Sequence, residues 1–144
     1  MKKLFLSFSV LLLAVSLFAQ EKPKQVIKFK ETTYDFGKIK QGVPVNHDFA
    51  FTNVDAKPAV IEVATATCGC TTPTWPQQPV AKGKSDKINA GFSAQAVGPF
   101  EKTITVKVAG VALPMEIRIK GEVLTTDDYV KYEAAKKTKK SGSK

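Results

Sequence analysis

A chain of 144 residues has room for one domain and little for a second. Its formal net charge of +9 suggests a nucleic-acid partner only until the lysines are located. Six crowd residues 131–144 against one glutamate, and two more sit in the first three residues, so the body between them is close to neutral and no nucleic-acid partner is expected. One histidine, two cysteines, no glycine-rich phosphate loop and no Gly-x-Ser-x-Gly turn leave hydrolase and transferase readings without machinery, and no cofactor is implied.

Lys2 and Lys3 precede an apolar run from Leu4 to Ala19, which gives way to the polar segment Glu21-Lys22-Pro23-Lys24. A basic start, a short apolar stretch and a small residue before polar chain are the marks of a secretory signal peptide. The run is 16 residues long, short of the roughly 18 to 20 needed to cross about 30 Å of hydrocarbon. The expectation is therefore residues 1–19 as signal peptide, cleaved near Ala19 with Ser16 as a second site. The mature protein would be periplasmic or extracellular, with no transmembrane segment. A chain of that size can bury about two-thirds of its unfolded surface, so neither metal nor disulfide is needed for folding.

From Val26 onward, period-two alternation dominates, the pattern of half-buried strands. Val26 to Lys30 opens the series. Val43, Val45, Phe49 and Phe51 then line one face against Pro44, Asn46 and Asp48. Ala59 to Thr67 is a further candidate with a mixed pattern. Ile88, Ala90 and Phe92 alternate with Lys87, Asn89 and Ser93, and Phe100, Ile104, Val106 and Val108 with Glu101, Thr103, Thr105 and Lys107. Leu113, Met115, Ile117, Ile119 and Val123 share the last apolar face. About seven short strands with turn formers between them predict an all-β, immunoglobulin-like two-sheet sandwich over residues 26–124, each sheet hiding one face against the other. Residues 125–144 read as a lysine-rich tail. Tyr129 to Lys140 is predicted helical, with Thr125 and Asp128 as a capping pair, and the closing Lys-Lys-Ser-Gly-Ser-Lys is expected to be disordered. Contact of this tail with an anionic surface is a second expectation, one that weakens in salt.

Thr67-Cys68-Gly69-Cys70-Thr71-Thr72, followed by Pro73-Thr74-Trp75-Pro76, holds both cysteines. An extended strand sets cysteines at this spacing about 6.6–6.8 Å apart at Cα, the outer limit for a bridge. Gly69, free to take a positive φ, is expected to fold the chain so that the sulfurs meet. Such a small ring is expected to be strained and so more easily reduced. Three readings stand open for Cys68 and Cys70: a structural bridge pinning a long loop from Thr71 to Lys84, a redox-active dithiol, and soft-metal binding, which needs further ligands. His47 shares the apolar face of Val45 and Phe49 and reads as a packed, hydrogen-bonded residue. Trp75 is either a plug over one end of the sandwich or an aromatic anchor for a partner. Gly69, Thr71 and Trp75 are the candidate recognition loop.

Phe29, Tyr34-Asp35-Phe36-Gly37-Lys38-Ile39, Gly42 and Phe49-Ala50-Phe51-Thr52-Asn53 are followed by Cys68-Gly69-Cys70-Thr71 and Trp75. Then come Gly83, Ile88, Phe92, Gly98, Phe100, Lys102 and the closing Ile119-Lys120-Gly121-Glu122-Val123. In that order they resemble the bacterial family called domain of unknown function 1573, over about residues 26 to 124. Pro58-Ala59-Val60 departs from the family's usual glycine, proline and leucine at a turn. The resemblance implies export and a sandwich in the style of major sperm protein and pilus-chaperone domains, and it supplies no reaction. The function expected is an exported, non-catalytic binding or structural module of the cell envelope. Its protein or envelope partner would be captured by edge-strand addition, with thiol–disulfide or soft-metal handling by Cys68 and Cys70 as the alternative.

Overall fold

The computed structural model describes residues 25–141. The expected signal peptide lies outside the described residues, as do Gly142 to Lys144 of the tail. Eight strands are found among the described residues: β1 (Ile27–Phe29), β2 (Thr33–Lys40), β3 (Val45–Asn53), β4 (Ile61–Ala66), β5 (Thr71–Thr74), β6 (Ser85–Phe92), β7 (Gly98–Val108) and β8 (Met115–Leu124), followed by helix α1 (Thr126–Ser141). They form two four-stranded sheets, ordered β1-β3-β6-β5 and β2-β8-β7-β4. The chain is thus an all-β, immunoglobulin-like sandwich.

The alternating residues supply the two dry faces. Phe49, Phe51, Ile88, Ala90 and Phe92 from one sheet meet Ile104, Val106, Val108, Ile117, Ile119 and Val123 from the other, all buried. Fully burying one such large aliphatic or aromatic side chain stabilises the fold by roughly 1.5–3 kcal/mol. Register puts Ile104 opposite Ile117 and Lys102 opposite Ile119. Two residues assigned to these faces are instead exposed. Val43 (48%) sits in the turn between β2 and β3, and Leu113 (67%) in the turn before β8, each beyond the last ladder pair that would turn it inward.

Two strands depart from the pattern read in the sequence. In β2, Tyr34 and Phe36 face the core side, but a bulge between Asp35 and Lys38 shifts the alternation so that Ile39 is the next buried residue. Gly37 takes φ +65° at that bulge, and its N–H donates to Asp35 Oδ1 at 2.8 Å. β5 was expected to be the start of a loop. It is a four-residue edge strand on β6 with Pro73 in it, a residue that sheets accept at an edge because its missing N–H faces outward.

β1 and β2 are one strand interrupted. β1 pairs antiparallel with the end of β3, the chain crosses at Lys30 to Thr32, and β2 pairs parallel with β8 in the other sheet. The crossing is held by Lys30 N–H on Ala50 O (2.9 Å), Arg118 N–H on Thr32 O (2.8 Å) and Glu31 Oε1 on His47 Nε2 (2.9 Å). His47 stacks on Tyr34 at 3.5 Å and meets Phe49 edge-on, the packed role expected for it. α1 begins at Thr126, three residues before the expected start, because Thr125 Oγ1 accepts from Asp128 N–H and donates to its carboxylate. It leans on β2, with Lys38 Nζ 5.4 Å above the Tyr132 ring, and its helical backbone runs on through Ser141. No helix among the described residues is long and apolar enough to cross a membrane.

Candidate functional site

Residues 67–71 carry the chain from β4, an edge of one sheet, to β5, an edge of the other. Three backbone bonds fix this corner: Thr67 N–H to Thr103 O (3.1 Å), Thr71 N–H to Cys68 O (3.2 Å) and Ser93 N–H to Cys70 O (3.0 Å). Cys68 and Cys70 are joined by a disulfide, with Cα atoms 5.3 Å apart. Gly69 does this without the left-handed conformation expected of it. It is absent from the positive-φ glycines, and a Cβ built on it meets nothing within 4 Å. The tight turn closed by Thr71 N–H, rather than a special glycine φ, brings the sulfurs together.

Such a bridge adds less to the fold than one that closes a long loop. Closing a loop of three residues removes about 1.6 kcal/mol of chain entropy from the unfolded state, roughly half of what a 15-residue loop yields. Both half-cystines lie in one turn that backbone bonds already hold. The chain that follows the bridge has further holds of its own. The segment between β5 and β6 is held by Ala59 and Val80, which exchange two backbone bonds at 2.8 Å, and by Asn53 Nδ2, which donates to Val80 O at 2.8 Å. As for metal, no group of three or more His, Cys, Asp or Glu side chains lies together among the described residues, so the third and fourth ligands a thiolate pair needs are not at hand.

Thr71 is 3% exposed and places its Oγ1 3.8 Å from Cys68 Sγ. Cys70 packs against the core. Trp75, the third member of the expected recognition loop, is not part of this corner. β5 runs between them, and five extended residues span roughly 16 Å. Trp75 follows the inward-facing positions of Thr71 and Pro73 and packs half-buried against the core, where the plug reading puts it. Trp75→Ala is accordingly expected to lower stability by about 2–3 kcal/mol, read as a fall in the chemical-denaturation midpoint. An unchanged midpoint would return Trp75 to the surface.

Two features were not anticipated. The first is the free side of β3. Ala50, Thr52 and Val54 turn their backbone groups toward β1, and Asn46 and Asp48 share that parity. Because β1 pairs only with Phe51 to Asn53, nothing among the described residues bonds the main-chain N–H and C=O of Asn46 and Asp48. The side chains beside this edge are fixed. Asp48 accepts from Asn89 Nδ2 (2.7 Å) and Lys87 Nζ (2.6 Å), and these bonds, the amide's first, hold its carboxyl below the usual carboxylate range. Asp48 in turn raises the Lys87 ammonium. The sequence signal was the chain's early exit at Glu31-Thr32, legible only once β2 is known to be a strand. The second is an open groove of about 500 Å³ beside the β2 bulge, where Gly37 and Gly121 leave the Phe100 ring uncovered between Asp35, Lys38 and Glu122.

Two stacked, largely antiparallel four-stranded sheets, with the chain passing from one to the other between β1 and β2, define an immunoglobulin-like sandwich. The chain belongs to the family described as protein of unknown function (DUF1573), whose model matches residues 27–123. No curated protein sequence matches it. Among solved structures it is similar to a protein of unknown function from Porphyromonas gingivalis, with TM-score 0.58 and 17% identity over 74% of this chain and 51% of that one. It is also similar to a PapD-like domain of human CEP192, with TM-score 0.56 and 10% identity over 78% and 97%. The VesB protease of Vibrio cholerae matches with TM-score 0.53 and 17% identity, over 68% of this chain. The chain spans only 32% of that protease's length. At these identities the likeness is one of fold.

Proposed function

We propose that this is an exported, non-catalytic binding module of the cell envelope that takes an extended segment of a partner protein onto the free edge of β3. The observation that carries the reading is the pair of unengaged backbone positions at Asn46 and Asp48, in a sheet whose other edge, β5, is short and blunted by Pro73. An added strand satisfies such groups directly and needs no deep pocket. Export is supported by Lys2, Lys3 and the apolar run to Ala19, and by cysteines joined as a disulfide, a bond that persists in oxidising compartments. A non-catalytic role is supported by the engagement of the single histidine, His47, in packing between Glu31, Tyr34 and Phe49. The lysines of the tail then add attraction to anionic surfaces, which salt screens.

Asn46→Pro removes one edge N–H and leaves the ladder to β6 intact, since Asn46 turns its backbone away from β6. In a display selection of random extended peptides against the full chain, the selected peptides are expected to bind the Asn46→Pro variant at least about tenfold more weakly, because one peptide carbonyl loses its donor. They should bind Asn46→Ala within about twofold. Equal loss in both variants, or no loss in either, would place the contact elsewhere, and a selection yielding no binder counts against the proposal.

A further inference from the structure

We infer that Cys68 and Cys70 are a thiol–disulfide exchange site, with a dithiol on a partner protein as co-substrate, Cys68 as the exchanging sulfur and Cys70 as the resolving one. The inference does not rest on the β3 edge: the two places flank β6 on opposite sides, Val45 and Thr71 both being paired with Phe92, and each has its own test.

Three observations support it. The corner is held by backbone bonds from Thr67, Thr71 and Ser93, so breaking the sulfur–sulfur bond leaves the chain where it is, and the pair can cycle between bridge and dithiol without unfolding. Gly69, between the sulfurs, is exposed with empty space on its side-chain side, so the bridge can be approached from solvent. The two sulfurs are in unlike surroundings. Both are half-buried, but Cys70 packs against the core, while Cys68 lies 3.8 Å from the hydroxyl of buried Thr71, a donor for a thiolate at Cys68.

The chemistry closes without another reagent. A partner thiolate attacks Cys68 Sγ, the Cys68–Cys70 bond breaks, and its electron pair goes to Cys70 Sγ, which takes up a proton. The partner's second thiolate then attacks its own sulfur in the mixed disulfide, and the electron pair goes to Cys68 Sγ, received by the Thr71 hydroxyl and then a proton. The partner dithiol has lost two electrons and two protons to become a disulfide, and Cys68 and Cys70 have gained them. Run backwards, the reduced pair opens a partner disulfide through Cys68. Thr71 is a positioning residue here, acting through the thiolate it faces.

The test uses the full mature chain and a synthetic peptide carrying two cysteines, with peptide oxidation followed by chromatography. The oxidised protein is expected to oxidise the peptide at least about tenfold faster than the same concentration of oxidised glutathione, and the Cys68→Ser, Cys70→Ser double variant not at all. Given the peptide's disulfide, Cys70→Ser should accumulate a mixed disulfide at Cys68 at least about tenfold faster than Cys68→Ser does at Cys70. Thr71→Val should slow the exchange about fivefold and Thr71→Ser restore it, with unchanged circular dichroism in both. Peptide oxidation no faster than by glutathione overturns the site. Equal trapping in the two single variants overturns the assignment of Cys68. A bridge reduced with dithiothreitol that takes the fold with it makes the pair structural after all.

Discussion

Asn53→Asp is expected to lower stability at neutral pH by about 3–4 kcal/mol. Asn53 closes β3 and is 1% exposed. Its amide nitrogen donates to Lys57 O and Val80 O, both at 2.8 Å, and its oxygen accepts from Asp55 N–H at 2.9 Å. One side chain thus ties the turn after β3 to the segment between β5 and β6. A carboxylate keeps the bond from Asp55 and turns two donors into charge facing two carbonyl oxygens. For a domain of this size the loss corresponds to a fall of roughly 10–25 °C in Tm. Burial and the two carbonyls raise the pKa of the introduced carboxyl, so the native variant binds a proton that the unfolded chain gives up. Its deficit is therefore largest above the raised folded-state pKa and shrinks as pH falls through that value, when the protonated group regains one donor. Thermal melts of variant and parent at pH 7.5 and pH 4.5 check both parts. A deficit that grows on acidification would sink the account.

Asn53 also shows what was and was not legible in the sequence. The strands whose apolar residues keep strict alternation, around Phe49, Ile88, Ile104 and Ile117, were readable because every second side chain is buried and the pattern is the burial. β2 was not, because the bulge at Gly37 changes its parity halfway, and β5 was not, because proline disguises an edge strand as a loop. In the sequence Asn53 only opens the stretch Asn53 to Pro58 that separates two strand candidates. Its cross-link to Val80 joins residues 27 apart, and no local pattern records it. The same limit governs the candidate sites. The Cys-Gly-Cys run was visible, but its detachment from Trp75 depended on β5 being extended. The open positions on β3 depended on where β1 lets go.

The aromatic residues give the sheet-to-sheet link a physical form that alternation alone does not. Phe92 of β6 stacks on Phe100 of β7 at 4.1 Å, Phe100 lies 6.5 Å from Phe36, and Phe36 meets Tyr34 edge-on at 4.9 Å before Tyr34 stacks on His47. This row runs from β6 in one sheet through β7 and β2 in the other and back to β3. Aromatic pairs of this kind add about 0.5–1.5 kcal/mol beyond the area they bury. They hold the interrupted first strand against the sandwich at the point where the chain changes sheets, which is also what leaves the upper edge of β3 uncovered.

Gly121→Ala is expected to cost about 3 kcal/mol, because the row of rings and the β2 bulge close on the one position in β8 without a side chain. A Cβ on Gly121 would stand 2.7 Å from Gly37 O and 3.0 Å from two carbons of the Phe100 ring. The carbonyl cannot swing aside. Gly37 is fixed by its own N–H bond to Asp35, and the ladder to β8 holds on either side of it, Asp35 opposite Lys120 and Lys38 opposite Glu122. The Phe100 ring can yield only by leaving its stack on Phe92. Pairing the change with Phe100→Leu should therefore recover about 1 kcal/mol in a double-mutant cycle. Gly69→Ala, with open space at its Cβ, should melt within about 2 °C of the parent. If Gly121→Ala is as mild as Gly69→Ala, the approach of β2 to β8 is looser than the ladder implies. If it is severe and Phe100→Leu gives relief, the Asp-Phe-Gly segment and the closing glycine are two halves of one packing device. Asp35 to Gly37 and Gly121 then serve the fold, which leaves the Cys68 corner and the β3 edge as the places for chemistry and binding.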